Sequence, residues 1–547
     1  ALYQSVPTDA DEMSDLVECI ENAVDESSEN VFLSPDDVQK AVRALKKGKS
    51  DDKRLLYSDH LVNGGETLYM FLSLLFNCML CHGHSPPPLL SSTFVSIPKN
   101  SKASMCDSSN YRSIALCSAI CKVLDVIVLN KFRDKLMTSD LQFGFKRGHS
   151  TVLCTALYKE TVQHFVNRKS PVYSVLLDAS KAFDKIHYGR MFKLLIQREL
   201  PAVIIRLLLD SYTRQTASVS WSGVLSPPFP VYNGVKQGGV LSPILFTVYI
   251  DALLVMLKRS GIGCQVNGFY SGAFCYADDV VLLCPSLAGL NQMLSLCSEF
   301  ALKYNVTFNA LKTVGIYFGC RSPIEGYATL NGTRIEWHEK VKHLGNVITQ
   351  RINDEADCIA KKSAFIGSVN RLLANFKHLD ANVRIKLFNS YCSSFYGAQM
   401  WKLECPGVNR VITAWNKGVR ALLRLPPTTH RWLLGPLTKN LYVKQIFHVR
   451  CLFFLSRAIG SCNATARAIV MAARSDARSD LGANFAFLRH EYGIDISPGM
   501  DVRNACQLVS LRTRLDDERL AVIHTCKELI DCIEGTCVNG LSPNENS

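Results

Sequence analysis

Residues 274–283 read Phe274-Cys275-Tyr276-Ala277-Asp278-Asp279-Val280-Val281-Leu282-Leu283. Apolar, β-prone residues flank a small polar centre. The pattern predicts a hairpin whose turn holds Ala277, Asp278 and Asp279. Two adjacent carboxylates between buried strands repel each other and resist desolvation. An ordinary surface turn also tolerates Asp-Asp, so this stretch alone leaves two readings. The functional one is a divalent-cation site, where the ion removes the repulsion.

A second acid segment lies upstream. Val172 to Leu177 reads as a buried strand ending in Asp178, and Ala179-Ser180-Lys181-Ala182-Phe183-Asp184 is expected to open a helix. A carboxylate at a strand end, beside a hairpin bearing two more, can hold two Mg²⁺ ions that clamp the attacking and leaving oxygens of an in-line phosphoryl transfer. Mg²⁺ completes its shell with water and phosphate, so three Asp residues suffice. Between these segments comes Gly234-Val235-Lys236-Gln237-Gly238-Gly239-Val240-Leu241-Ser242-Pro243, then the apolar run Ile244 to Ile250. Its glycines permit close backbone approach, and Pro243 suits a first helical turn.

The chain has 547 residues and a net charge of +13. That length predicts several domains, and 48% apolar against 20% charged residues is a globular balance. The charge is uneven: residues 1–39 carry eleven acids and no Lys or Arg, and the rest is +24. Such a body seeks polyanions, nucleic acid before membrane. No stretch is apolar enough to span a bilayer, no signal peptide is visible, and 21 scattered cysteines suit a reducing interior. An intracellular protein is expected, in cytoplasm and nucleus, with the sequons at Asn305, Asn331 and Asn463 as chance matches.

Along the chain, a helix is expected from Ser34 with Pro35 first and a basic end at Lys46-Lys47-Gly48-Lys49. An apolar helix Leu68–Leu80 follows, then a strand Thr93–Ile97 and a helix near Ile114–Leu136. Strands and helices alternate to about residue 350; beyond it Ile385, Phe388, Cys392 and Phe395 mark one face of a helix. Cys78-Met79-Leu80-Cys81-His82 has the spacing of c-type haem attachment but falls in the apolar helix, so a packed helix end is expected. His524, Cys526, Cys532 and Cys537 lack a paired knuckle and read as thiols rather than a zinc site. Residues 401–480 are net +10, with Arg410, Lys417, Arg420 and Arg424 on one helical face and Val411, Trp415 and Leu422 on another. They are expected to track a nucleic-acid backbone.

Taken together, the motifs resemble the reverse transcriptases of non-LTR (LINE-type) retrotransposons over roughly residues 35–350. Tyr276-Ala277-Asp278-Asp279 is similar to the (Phe/Tyr)-x-Asp-Asp signature, Asp178 to Asp184 to the Asp-x-x-Lys-Ala-Phe-Asp block, and Gln237-Gly238 with Leu241-Ser242-Pro243 to the Gln-Gly…Leu-Ser-Pro block. Ile97-Pro98-Lys99 and Asn110-Tyr111-Arg112-Ser113-Ile114 resemble the fingers blocks, with Ser113 where the family has Pro. Gln142-Phe143-Gly144-Phe145 with Arg147 resembles the template-side block. Asn309, Lys312 and Thr313 resemble the late palm motif, and His343-Leu344-Gly345 the primer grip. Gly48-Lys49-Ser50 matches an N-terminal block only loosely. The Lys-Ala-Phe-Asp and Leu-Gly blocks favour the LINE type over an intron-encoded maturase or telomerase.

The resemblance implies an α/β (α+β) right-hand polymerase with fingers and palm, followed by an all-helical thumb and C-terminal region. The divisions expected are an acidic leader 1–33, a helical extension 34–91, fingers and palm 92–350, thumb 351–450 and C-terminal helices 451–547. It implies an RNA-directed DNA polymerase that extends a primer 3′-OH with dNTPs, on an RNA template, with a DNA primer or target. Asp178, Asp278 and Asp279 would hold two Mg²⁺, or Mn²⁺ in their place. Lys312 would act as general acid, Lys99 and Arg112 would meet the triphosphate, and Phe183 would exclude a ribose 2′-OH. Gln237 and Gly238 would position nucleotide or template, and Leu344 and Gly345 the primer. The alternative is a decayed or domesticated nucleic-acid-binding relative. Endonuclease activity is not expected in this chain: as a fragment it would leave nicking to a missing part, and as a complete chain it would need another protein to supply the 3′-OH or belong to a defective element. The acidic leader is expected to be a linker or a cover for the empty groove.

Overall fold

The computed structural model describes residues 10–26, 31–49, 56–100, 102–319 and 326–511. Helix α1 spans Ala10–Glu26. Helix α2 (Pro35–Arg43) starts at a capping box in which Ser34 and Asp37 each accept the other's backbone N–H. It ends before Lys46, so the basic cluster follows the helix rather than closing it. Helix α3 (Gly65–His82) runs through the Cys-x-x-Cys-His stretch to a left-handed cap at Gly83. Met79 and Leu80 are buried there, while Cys78 and Cys81 are exposed.

Strands β1 (Ser91–Pro98) and β2 (Tyr111–Cys117) pair antiparallel, with Ile97 opposite Arg112. This corrects the helix expected from Ile114 to Leu136. Pairing with β1 claims the backbone through Cys117, and α4 (Ala119–Lys131) starts only after the Ser118 cap. Helix α5 (Thr151–Val166), β3 (Val172–Leu177), α6 (Tyr188–Gln197) and α7 (Ala202–Thr213) follow. Strand β4 (Thr216–Trp221) adds parallel to β1 and completes the fingers sheet with two short returning strands. Helix α8 (Ser242–Ser260) has Pro243 in its first turn, as expected.

The palm continues with β5 (Ala273–Tyr276), β6 (Asp279–Cys284), α9 (Leu287–Lys303), β7 (Val314–Phe318) and β8 (Glu336–Trp337). Its sheet order is β8-β7-β3-β6-β5. Both faces are buried, so its strands read as continuous apolar runs. Val280 and Leu282 face one core with α8 and α9, and Val281 and Leu283 face a second with α5. A hairpin of β9 (Lys340–His343) and β10 (Asn346–Thr349) leads into helices α10 (Glu355–Phe376), α11 (Ala381–Tyr391), α12 (Pro406–Leu423), α13 (Val443–Ile459), α14 (Ala464–Arg474), α15 (Asp480–Tyr492) and α16 (Val502–Leu511). The face read from Ile385 to Phe395 is helical only to Tyr391, although Phe395 is still buried. Among the described residues no helix is long and apolar enough to cross a membrane, and every described cysteine is a free thiol. The cluster from His524 to Cys537 and Ser50 lie outside the described residues.

Two packing results change the expected organisation. First, α1 is neither a linker nor a groove cover. Leu16 and Ile20 enter the first core, Glu12 accepts from Lys193 (2.7 Å) and pairs with Arg190 (3.1 Å), and Glu21 pairs with Arg206 (3.1 Å). The acidic helix therefore straps α6 and α7. Second, the division at 450/451 falls inside α13, and the second core continues from Phe143 in the palm to Val509.

A buried ionic knot ties the C-terminal helices to α5. The Lys159 ammonium lies 2.6 Å from Asp354 and 3.1 Å from Asp480. Burial works against its charge, but the two carboxylates outweigh it and its pKa rises. Beside it, burial and the Asp480 charge push Glu160 up to about 8, while its carboxyl accepts the Leu481 N–H (3.0 Å). Lys159→Met leaves two buried carboxylates uncompensated and should cost about 3–5 kcal/mol in urea denaturation. Adding Asp354→Asn and Asp480→Asn should recover most of that loss.

Candidate active site

The site starts from strand ends. Val280 pairs with Leu177, so continuing the β3–β6 register by one residue sets Asp178 opposite Asp279. Tyr276 pairs with Asp279, which leaves a two-residue turn of Ala277 and Asp278. Asp279 is thus the first residue of β6 rather than a turn residue. Ala277 takes φ +58°, a conformation a non-glycine residue rarely adopts.

That turn has a brace. The buried Gln142 amide oxygen accepts the N–H groups of Ala277 (3.0 Å) and Gly144 (2.8 Å), and its amide nitrogen donates to the Ala277 carbonyl (3.3 Å). Phe143 N–H donates to Cys275 (2.7 Å), so residues 141–143 extend the sheet beyond β5. Gly144 lets this segment approach, since a Cβ there would meet the Ala277 nitrogen at 2.4 Å. The sequence places Gln142 in a template-side block; the structure gives its side chain to the turn.

Asp178 is held by its backbone. Its carbonyl accepts from Asn309 N–H (2.8 Å) and its N–H donates to the Thr313 hydroxyl (3.3 Å). The late palm motif is therefore the seat of Asp178, and Lys312 sits in the same turn with its side chain exposed. The helix expected from Ala179 is only a short 3-10 turn, Ala182–Lys185, with the regular helix starting at Tyr188. Lys181 there has φ +51°, which interrupts α-helical backbone.

The charges are only partly relieved. Partial burial pushes Asp278 up, Asp178 adds to this, and Arg112 opposes it. Asp279 still reaches solvent, yet desolvation and the charges of Asp278 and Asp178 push it up to about 6. Arg112 is the fingers cation that the acids feel. Lys99 is exposed beyond the end of β1, where its N–H donates to Asn110 (2.6 Å). Among the described residues no three His, Cys, Asp or Glu side chains close into a cage of their own. The donor set is that of a hard cation which shares its shell with water and phosphate.

The remaining predicted residues surround this centre. Phe183 stacks on Phe246 (4.0 Å between centroids, 13° between planes) and meets the edge of Phe145 (6.5 Å). Phe145 is exposed and has φ +56°. Gln237 donates to Asp184 (2.8 Å), and its carbonyl accepts from Ala115 N–H (2.6 Å), so it links the palm to β2. Gly238 follows with φ +119° against Ala115. Leu344 and Gly345 form the β9–β10 turn; His343 behind them is neutral, lowered by burial to about 3, and contacts Thr155 (3.0 Å).

The four basic residues of α12 separate. Arg410 pairs with Glu355, and Arg420 donates twice to the Thr429 carbonyl, which commits both within the fold. Lys417 and Arg424 stay exposed, and Lys417 lines a 450 Å³ cleft between α10 and α12. Sequence reasoning missed the Gln142 brace and the Phe246 stack. The only available signal was their place within the motif blocks.

A fingers sheet, a palm sheet with carboxylates at its strand ends and a helical thumb define the class of right-hand nucleic-acid polymerases. Residues 97–348 match the family described as "Reverse transcriptase (RNA-dependent DNA polymerase)". The RNA-directed DNA polymerase from mobile element jockey of Drosophila melanogaster is 26% identical over 373 residues, covering 65% of this chain and 40% of that protein. The probable RNA-directed DNA polymerase from transposon BS of the same species is 26% identical over 384 residues, covering 65% and 41%. The Pol polyprotein from its type-2 retrotransposable element R2DM is 28% identical over 244 residues, covering 44% and 23%. An apo telomerase from Candida tropicalis, truncated from its C-terminal domain, superposes with a TM-score of 0.35 at 14% identity, covering 52% of this chain and 59% of that one. Residues 97–348 are thus similar to reverse transcriptases, and the relatives named here are proteins of mobile or retrotransposable elements. The chain spans about two fifths of the length of the first two relatives.

The raised pKa of Asp279 has a stability consequence. Folding favours its protonated form, so its contribution is full below pH 4 and is lost as pH rises through about 6. In EDTA at pH 7.5, Asp279→Asn should raise the melting temperature by about 1–3 °C. The difference should vanish near pH 4.

Proposed function

We propose that the chain is an RNA-directed DNA polymerase. It extends a primer 3′-OH with dNTPs on an RNA template, as the active domain of a non-LTR retrotransposon protein. The observation that carries this reading is the meeting of Asp178, Asp278 and Asp279 at adjoining strand ends, with the last two pushed up first by burial and then by neighbouring carboxylates. Cations would relieve the repulsion within such a cluster at neutral pH, and its oxygens fit Mg²⁺ or Mn²⁺. Divalent ions are general in reverse transcriptases. When bound, they would supply charge stabilisation and activation of the primer oxygen.

The chain's own residues do the rest. Asp178 and Asp278 hold the metal side of the site, and Asp279 tunes or shares it. Arg112 and Lys99 offset the triphosphate charge, Arg112 with a forked donor. The primer 3′-OH gives its proton to solvent water, its oxygen bonds to the α-phosphorus as the bond to pyrophosphate breaks, and Lys312 gives the leaving group its proton. Phe183, its ring held flat by Phe246, blocks the 2′-OH of a ribonucleotide. Gln237 and Gly238 place the nucleotide through their link to β2. Leu344 and Gly345 hold the primer, and Lys417 and Arg424 meet the nucleic-acid backbone. Work on RNA and DNA places the protein inside the cell, in cytoplasm and nucleus. Nothing in the site favours a decayed relative.

On poly(rA)/oligo(dT) with Mg²⁺, the wild type should incorporate dTTP. Asp278→Asn should lower the rate at least about 10³-fold with primer–template affinity within twofold. A folded wild type that makes no product would contradict the proposal.

A further inference from the structure

The β9–β10 turn is held more firmly than a hairpin tip needs. Leu344 and Gly345 both have positive φ, 44° and 83°. The Tyr396 hydroxyl donates to the Leu344 carbonyl (3.2 Å) and, its one proton spent, accepts from the Thr151 hydroxyl at the start of α5. The Lys361 ammonium donates to the Gly345 carbonyl (2.7 Å) and lies 5.2 Å from the centroid of the Tyr396 ring.

Tyr396 comes from the connection between α11 and α12, which is strained around it. Phe395 is buried at φ +37°, and Gly397 has φ +87°. A Cβ on Gly397 would fall 2.0 Å from the Asn346 side-chain oxygen, so this loop is wedged directly against β10. Strain of this kind persists where the surroundings over-determine it, and it clusters at ligand contacts. Yet the Tyr396 ring remains 42% exposed. Its hydroxyl is used twice, the Phe395 backbone before it is strained, and the residue stays part-exposed with Lys361 over its ring: it presents a surface rather than filling a core. Tyr276, which precedes the acid-bearing turn, is its neighbour. Burial raises the Tyr276 phenol and Tyr396 adds to the shift. The ring therefore stands near both the grip turn and the residue that leads into the acid-bearing turn.

We infer that Tyr396 positions the primer: the 3′-terminal nucleotide rests on its ring, and Thr151 and Lys361 fix that ring to the Leu344–Gly345 turn. This rests on the polymerase reading above. It makes a thumb-side loop part of the primer site and couples α10 to the reacting end.

The test uses the full chain and an RNA template annealed to a DNA primer carrying 2-aminopurine at its 3′ end. Fluorescence and affinity are read without dNTP, and extension afterwards with dNTP. Wild type should quench the probe. Tyr396→Ala should lose the quenching, weaken primer–template binding about tenfold and lower kcat, with KM for the dNTP within twofold. Tyr396→Phe keeps the ring and should keep the quenching, with kcat reduced less and its melting temperature near wild type. Tyr396→Ala with wild-type quenching and affinity would overturn the inference. So would loss of extension that appears only as a raised KM for the dNTP. A wild type that binds and quenches through Tyr396 without extending would support the inference and sink the polymerase reading. One that does not bind primer–template overturns both.

Discussion

Three carboxylates are forced together at the ends of adjoining strands, and the surrounding structure exists to hold them there. Mutual repulsion would open the hairpin or turn the side chains outward. The protein answers with anchors that act on backbone rather than on the carboxylates. Asn309 and Thr313 seat Asp178, and the buried Gln142 amide grips the Ala277 peptide groups on both sides. The carboxylate oxygens are thereby left out of the anchoring hydrogen bonds.

The rest of the architecture makes those anchors rigid. Both faces of the palm sheet are buried, one against α8 and α9 and the other against α5 and the C-terminal helices. Helix α5 is the shared beam. Its start holds Thr151 near the grip turn, its middle holds Thr155 against His343, and Lys159 and Glu160 receive the loop before α10 and the start of α15. Thumb-side elements therefore report to the palm through polar contacts, most of them buried. The positive charge of the body is also less uniform than its sum. Arg190 and Lys193 share Glu12, and Arg206 and Arg410 pair with Glu21 and Glu355, so part of the positive charge is used within the fold.

The elements that frame the site were legible because they are local. A strand ending in Asp178, a hairpin around Asp278 and the Pro243 helix start each follow from a few consecutive residues. Capping at Ser34 and the helix through Cys78–His82 were legible for the same reason. What escaped depends on distant partners. Residues 114–117 are apolar enough for either helix or strand, and only β1 decides. Gln142 reaches a turn 135 residues away, and Tyr396 reaches Thr151 across 245 residues. The leader's acidity pointed to a linker or a cover, but the amphipathic spacing of Leu16 and Ile20 with Glu12 and Glu21 decides for a packed strap. Arg410 and Arg420 share a helical face with Lys417, yet local acceptors take both.

The central claim is that this carboxylate cluster is a cation site built under repulsion. Mn²⁺ binding followed by electron paramagnetic resonance, with primer–template and a non-hydrolysable dNTP present, tests it most directly. The account predicts two bound ions for wild type and loss of at least one in both Asp178→Asn and Asp278→Asn, with nucleic-acid affinity retained. Equal Mn²⁺ occupancy in wild type and both variants would contradict it.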